Sequence, residues 1–453
     1  MNPILMNLGD GVQLADFSDD TWWIWVIKAV FIVVYLIFSV IFALWFERRL
    51  LARMQNRLGP NTVGPAGLLQ SFPDAVKLLF KEDFFLKGAD RVVYFIAPAI
   101  SALCAFTLMA VIPMGPEVNL FGHTTPLQLA DSPVAILFVL AVAALGEYGL
   151  VMGGWSAKST LPLYGSVRSA TQMISYELAQ GLSLVTVFIV NTTMSTSGIV
   201  SAQQGLWNVF IMLPAFLIYL VTMFGEANRL PFDLPEAEGE LVAGAHTEYS
   251  SMKFGWYYLS EYVNMLNLSM LATTLFFGGW RTGPIMAWIF SLWGGDPNTG
   301  WWPMLWFILK TWVFMAIFVW ARGATLRFRY DQFMKLGWKG LIPSALIWLF
   351  IVMVVLGIDM VYPINVAAVL VILSLGFSLI MIIWGFGDDR VHPTQAQLIE
   401  QREREEFTGF ENGYPVPPLP GQHLPPSPRL RKRQSVAAGA GTTSQSIQTT
   451  EAE

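Results

Sequence analysis

The stretch Gly225-Glu226-Ala227-Asn228-Arg229-Leu230-Pro231-Phe232-Asp233-Leu234-Pro235-Glu236-Ala237-Glu238-Gly239-Glu240 sets five carboxylates and one arginine between two long apolar segments. Charge is scarce elsewhere, since only 13% of the chain is Asp, Glu, Lys or Arg. Charge wedged between membrane-length segments is costly unless it meets water, pairs internally, or handles protons or ions. Which of these holds decides the fold around the cluster and its chemistry.

The chain has 453 residues, 54% of them hydrophobic, and a mean hydropathy of +0.52. Soluble domains carry about 25% charged residues. Half that charge with this much apolar content points to an all-α, polytopic membrane helix bundle. The net charge of −5 says little, because its distribution matters more. The single cysteine, Cys104, lies in an apolar run. It excludes an internal disulfide and any iron–sulfur cluster bound by this chain alone. His123, His246, His392 and His423 are scattered without metal-ligand spacing, so no metal site is expected. No Walker loop and no GxGxxG after a strand is present, and no nucleotide or nucleic-acid partner is expected.

Apolar runs of about 17–25 residues can cross a bilayer as helices. Nine are read near 22–46, 92–114, 133–152, 167–190, 206–226, 254–280, 301–321, 341–358 and 363–386. The transmembrane bundle then spans 22–386, after a short segment 1–21 that has no basic residue before an apolar core and does not read as a cleaved signal peptide. The fourth and fifth runs are separated by an uncharged polar loop, Asn191 to Gly198.

Basic residues set the orientation. Arg48, Arg49, Arg53, Arg57, Lys77, Lys81, Lys87 and Arg91 follow the first run, and Arg322, Arg327, Arg329, Lys335 and Lys339 follow the seventh. Segments 115–132 and 191–205 carry no basic residue. The positive-inside rule then puts the N-terminus outside and the C-terminus in the cytoplasm. Residues 387–453 are rich in Pro, Gln, Glu and Ser, with a basic knot at Arg429, Arg431, Lys432 and Arg433. They read as a largely disordered cytoplasmic tail, whose knot is either solvated or touches anionic lipid or a partner.

Glu47 to Arg57 continues the first helix out of the membrane, with Arg49, Arg53 and Arg57 four apart on one face. That face is a snorkelling collar or a docking face for a soluble partner or an anionic headgroup. Beyond the turn signals Gly59-Pro60-Asn61 and Gly64-Pro65, Leu68, Leu69, Phe72, Val76, Leu79 and Phe80 recur at helical spacing. Gln70, Asp74, Lys77 and Lys81 lie mostly opposite, and Leu78 breaks the polar face. This pattern suits an amphipathic helix in the headgroup region, as an anchor or as the frame of an entry for a lipid-soluble substrate.

Glu147, Glu177, Glu226 and Glu261 fall within or at the end of apolar runs, with Lys28 and Lys310 as cations. Each such charge costs about 2.5–3.5 kcal/mol at mid-bilayer on insertion scales. Either they form a structural polar network, or the series from Glu236, Glu238 and Glu240 through Glu226 to Glu147 and Glu177 relays protons. Asp233 and Glu236 have capping-box spacing ahead of a helix, on which Glu236 and Glu240 would share a face.

The text Glu47-Arg48-Arg49 through Arg57-Leu58-Gly59-Pro60-Asn61, then Gly67-Leu68-Leu69-Gln70 with Asp74 and Lys77, resembles one family. So do Gly225 to Glu238, Glu240-Leu241-Val242-Ala243-Gly244 and His246-Thr247-Glu248-Tyr249-Ser250. The family is a membrane-arm subunit of bacterial proton-pumping NADH:quinone oxidoreductase, respiratory complex I, whose mitochondrial counterpart is complex I subunit 1. The similarity covers roughly residues 20–360; the ninth run and the tail exceed the family's eight-helix plan. The resemblance implies the heel of a membrane arm, in a bacterial inner membrane, where a soluble redox arm docks. Its quinone chamber would be lined or supported by Arg48, Arg49, Asp74, Arg229, Phe232 and Asp233. Its acidic channel maps to Glu226, Glu236, Glu238, Glu240, Glu147 and Glu177, with Glu47, Glu248 and Glu261 as further members. It also implies partners: soluble quinone-site and iron–sulfur subunits, small membrane-arm subunits, quinone as substrate, and membrane lipid. FMN and iron–sulfur clusters belong to partner subunits, leaving this chain no redox centre and no cofactor of its own. The rival readings are the membrane subunit of an energy-converting hydrogenase-type complex and a free-standing ion-coupled transporter, which the missing internal repeat disfavours.

Overall fold

The computed structural model describes residues 15–283, 290, 298–362 and 365–387, apart from the side chains of residues 238 and 384–387. The residues fall into a unit Met1–Met381 and a unit Ile382–Glu453. Of the expected tail 387–453, all but the first residue lies outside the described residues, as do residues 363 and 364 of the ninth run.

The bundle is helical. α1 is Trp22–Met54 and α2 is Ser71–Phe80. α3 is Arg91–Leu108, begun by Asp90, whose side chain accepts from the Val92 amide. α4 is Ala135–Ser156 and α5 is Thr160–Asn191. Short helices α6, Thr196–Ala202, and α7, Asn208–Ile211, precede α8, Leu213–Glu226. α9 is the four-residue Glu238–Leu241, and α10 is Ser251–Phe276. α11 is Trp302–Ala324. α12, Tyr330–Val361, contains a π-helical segment, Leu336–Leu341. α13 is Val366–Gly387. Among the described residues, seven helices are long and apolar enough to cross a membrane: α1, α3 with its 3₁₀ extension to Val111, α4, α5, α11, α12 and α13.

The two remaining runs differ from a simple apolar span, each for a local reason. The expected fifth helix is split. Met212 leaves helical geometry at φ −128, ψ 45, and Pro214 follows, leaving a 14-residue α8. The sixth run, α10, is only moderately apolar because it lies inside the protein: every residue from Met265 to Phe276 is buried. Its C-terminal carbonyls need partners, as in any helix end. Gln203 donates to Thr274 O at 2.9 Å and Asn208 to Leu275 O at 2.8 Å. Just past the end, Lys310 Nζ on α11 donates to the carbonyls of Phe277, Gly279 and Arg281. That arrangement gives one expected intramembrane cation a structural role. The other, Lys28, pairs with Asp20 at 2.6 Å.

α3 packs on α4, α4 on α5, and α5 on α8 and α12. α10 packs against α3 and α11, and α11 against α1. Segment 115–132, expected only to be free of basic residues, contains a hairpin, β1 Glu117–Leu120 paired antiparallel with β2 His123–Pro126. Its two-residue turn, Phe121-Gly122, has φ of 53 and 93, the left-handed geometry that matches strand twist. The segment before α1 reaches this side, where Asp19 accepts from the Thr124 amide.

Two local expectations are corrected, and one holds. α1 ends at Met54, so Arg57 does not share the helical face of Arg49 and Arg53. α2 forms as expected, and Leu78, out of place on its polar side, packs toward α10, where Ser251 Oγ donates to its carbonyl. No helix follows the Asp233–Glu236 capping spacing. Asp233 Oδ1 accepts from the Glu236 amide at 3.4 Å, but it closes a turn. α9 starts only at Glu238, with left-handed Ala237 before it. Glu236 and Glu240 therefore share no helix face.

Candidate functional site

The charged stretch between α8 and α10 is folded back onto α5. Ala245 N–H donates to Pro235 O at 3.2 Å, closing the loop on itself. Gly244 sits at φ +50, and a Cβ there would lie 1.7 Å from Pro235 O, so a side chain is excluded. Gly165 of α5 lets the loop backbone approach, since a Cβ there would be 2.4 Å from Ala245 N. Gln172 of α5 then donates to Gly225 O, Phe232 O and Asn228 Oδ1 at 2.6, 2.9 and 3.1 Å. One buried amide thus holds both ends of the Gly225–Phe232 turn.

This folding gathers carboxylates from three helices and a loop. A cavity of about 60 Å³ is lined by Glu147 of α4, Glu226 of α8, Glu261 of α10, and Asp233 and Glu236 of the loop. Glu147 accepts from Asn228 Nδ2 at 3.2 Å and Ser169 Oγ at 3.3 Å. Asp233 pairs with Arg327 at 2.9 Å. Burial first, then the charge of Glu236, pushes the Asp233 carboxyl up to about 6, against the pull of Arg327. His246 also lines the cavity, and burial pushes it down to about 4, so its ring is neutral near pH 7.

A second, larger cleft lies beside the first. Its volume is about 480 Å³, and Leu44, Glu47, Arg48, Leu51, Leu58, Pro60, Tyr258, Tyr262 and Arg322 line it. Glu47 pairs with Arg322 and accepts from the Tyr262 hydroxyl at 2.5 Å. Arg48 pairs with Asp74 of α2. Arg229 stands between cleft and cavity. Its Nε lies 2.9 Å from Glu261 Oε1, and its guanidinium lies 4.2 Å over the Tyr262 ring and 5.7 Å over that of Tyr258. Burial opposes its charge, but Glu261, Tyr262 and Glu47 outweigh that and hold it protonated.

Other expected site residues are placed differently. Arg49 donates to Ala66 O at 2.6 Å, tying α1 to the turn before α2. Phe232 is buried among Phe333, Phe328 and Tyr176, at ring distances of 5.0, 5.4 and 5.6 Å, behind the cavity. Asp233 lines the acidic cavity and not the larger cleft. Glu177 is half-buried on α5 and acts electrostatically on Glu147 and Glu226. Glu240 is exposed and pairs with Arg168 at 2.5 Å. Glu248 contributes its carbonyl to the Tyr94 hydroxyl at 2.6 Å. The side chain of Glu238 lies outside the described residues. Sequence reasoning did not single out Asn228, Ser169, Gln172, His246 or Asn264 as site residues. Neutral polar side chains carry no charge signal, and only the fold brings them together. Arg322 and Arg327 were visible only as orientation charges.

A helix bundle with seven lipid-length apolar helices among its described residues is a polytopic helical membrane protein. The family can be stated more closely. The sequence matches the family model described as NADH dehydrogenase over residues 27–353, well over half of the chain. The chain belongs to that family, which includes subunit 1 of mitochondrial complex I. It is therefore a membrane subunit of an oxidoreductase assembly, with other complex I subunits as its partners.

Proposed function

We propose that this chain forms part of the quinone chamber of a proton-pumping NADH:quinone oxidoreductase and carries the acidic path that couples quinone reduction to proton movement. The larger cleft is the quinone site. Its volume is within the usual range of ligand pockets. Its leucines suit an isoprenoid-bearing ring, and Arg48, Tyr258 and Tyr262 supply polar contacts at one end. α2, with Phe72 and Phe80 exposed, frames the entry from lipid. Quinone is the substrate, and FMN and iron–sulfur clusters reside on partner subunits.

One observation carries this reading. Arg229 contacts Tyr262, a wall of the cleft, and Glu261, a wall of the acidic cavity. A guanidinium shared between the two spaces couples them electrostatically. Quinone takes up two electrons and two protons on becoming quinol. Until its protons arrive the reduced ring carries negative charge beside Glu47 and Tyr262, and that charge shifts the balance around Arg229 and with it the proton affinity of Glu261. From Glu261 the cavity leads to Glu226, Asp233, Glu236 and Glu147. Glu177 influences the same acids by its charge. Glu238, Glu240 and Glu248 belong to the cytoplasmic mouth of the path. The N-terminus lies outside and the C-terminus in the cytoplasm of a bacterial plasma membrane, because the basic segments after α1 and α11 face inward.

The test is Glu147→Gln and Glu261→Gln in the assembled complex, reconstituted in liposomes. NADH oxidation by an artificial acceptor should persist, while quinone reduction coupled to pumping should fall. Wild-type coupled pumping in both variants would sink the relay.

A further inference from the structure

Three polar atoms of the acidic cavity lack a partner that the path just described supplies. Glu226 Oε2, His246 Nδ1 and Asn264 Oδ1 are each buried and have no hydrogen-bond partner among the described residues. All three residues line the same cavity. A buried acceptor without a donor costs about 1–3 kcal/mol, so three in one space call for something to satisfy them. The cavity has room for about two to four waters.

The His246 ring is fixed in place. It meets Phe254 edge-on at 5.9 Å and lies against Tyr257 at 5.2 Å, both on α10. The ring faces of these neighbours do not offset the cost of a buried charge, and burial keeps His246 neutral. A neutral imidazole has one nitrogen that accepts. Asn264 is one turn beyond Glu261 on α10. The acids and phenol around His246 are Asp233 and Glu236 from the loop, Glu147 from α4, Glu226 from α8, and Tyr257 and Glu261 from α10.

We propose that His246 and Asn264 are positioning residues that hold ordered water joining Asp233 and Glu236 to Glu261 and Glu147. This rests on the proton-path reading above. Each acceptor fixes one O–H of a water. The second O–H and the lone pairs are then free to bridge two carboxyl groups. A protonated carboxyl gives its proton to the water oxygen as the water gives its own to the next carboxylate. One proton moves, and nothing is oxidised or reduced. His246 carries no charge in this step; it sets where the water sits.

His246→Asn, His246→Leu and Asn264→Leu in the whole complex test this. Asparagine keeps an acceptor, so His246→Asn should retain coupled quinone reduction, while each leucine variant should lose about tenfold or more. NADH oxidation by an artificial acceptor should hold in all three and report assembly. A wild-type density map that resolves water should show one within about 3 Å of His246 Nδ1 and of Asn264 Oδ1. Wild-type coupling in His246→Leu would overturn the proposal. So would equal losses in His246→Asn and His246→Leu, since the imidazole would then carry the proton itself. Should leucine variants fail to assemble, a map without water at those two atoms overturns it alone. Normal pumping in both Glu147→Gln and Glu261→Gln would sink the path but leave the waters in place, so the two failures are distinguishable.

Discussion

The Tyr262 hydroxyl donates to Glu47 across 2.5 Å, joining α10 to α1 at the wall of the larger cleft. Glu47 is buried and also pairs with Arg322. A hydrogen bond to a charged group contributes about 1.5–3 kcal/mol. Tyr262→Phe should therefore lower the thermal midpoint of the complex and reduce quinone reduction, with artificial-acceptor activity kept. The aromatic face under Arg229 survives in this variant, so the experiment isolates the hydroxyl. A normal quinone rate in Tyr262→Phe would remove that hydroxyl from the mechanism.

Arg229 is held by Glu261 and by two tyrosine faces. Arg229→Met should leave Glu261 without its cation. Breaking a buried pair from one side costs about 3–5 kcal/mol, so less complex should assemble. Arg229→Lys keeps the charge but loses the planar fork that reaches a carboxylate while stacking on a ring. It should assemble better than the methionine variant and still reduce quinone slowly. The two variants are compared by complex yield and by quinone rate; equal yields would show that the charge is unimportant to the fold.

The cavity also predicts how stability responds to acid. His246 is lowered from 6.5 to about 4 by burial. Between those values the unfolded chain binds a proton that the folded chain refuses. Its contribution is thus fully present above about pH 6.5 and lost as pH falls through 4. Asp233 runs the other way, being raised from 3.8 to about 6. Its contribution is present below 3.8 and lost as pH rises through 6. His246→Asn should therefore flatten the fall in thermal midpoint between pH 6.5 and 4, whereas Asp233→Asn should steepen it. Parallel curves for wild type and His246→Asn would show that the histidine is not buried neutral.

Long apolar runs such as Trp22–Met54 and Val366–Gly387 were legible because lipid-facing helices are apolar all round. α8 was less so, because Met212 leaves helical geometry inside an apolar run and Pro214 is the one composition signal of the break. The hairpin was missed for a similar reason: four-residue strands with a Phe121-Gly122 turn are too short to stand out beside the spans. At the site, the acids were legible one by one, since charge in an apolar context is conspicuous. Their grouping was not. Glu147 and Glu261 come from separate helices, and a loop pinned by Gly165 and Gly244 brings Asp233 and Glu236 to them.

The close approach of α3 and α4 supports that grouping. A Cβ on Gly149 would lie 2.3 Å from Ser101 Oγ and 2.6 Å from Ala97 O. The second contact is backbone and cannot rotate away, so Gly149→Ala must push the helices apart. Overpacking of this kind costs about 1–3 kcal/mol. Glu147 is two residues away, and Ser101 lines the same cavity, so the strain falls on the acidic site. Gly181, on α5, would meet nothing within 4 Å. Gly181→Ala should instead gain about 0.5–1 kcal/mol, by reducing the freedom of the unfolded backbone. The thermal midpoints of the two purified complexes should shift in opposite directions, with coupled quinone reduction lowered in Gly149→Ala alone. Shifts of the same sign would mean that α3 and α4 are not in backbone contact at this position.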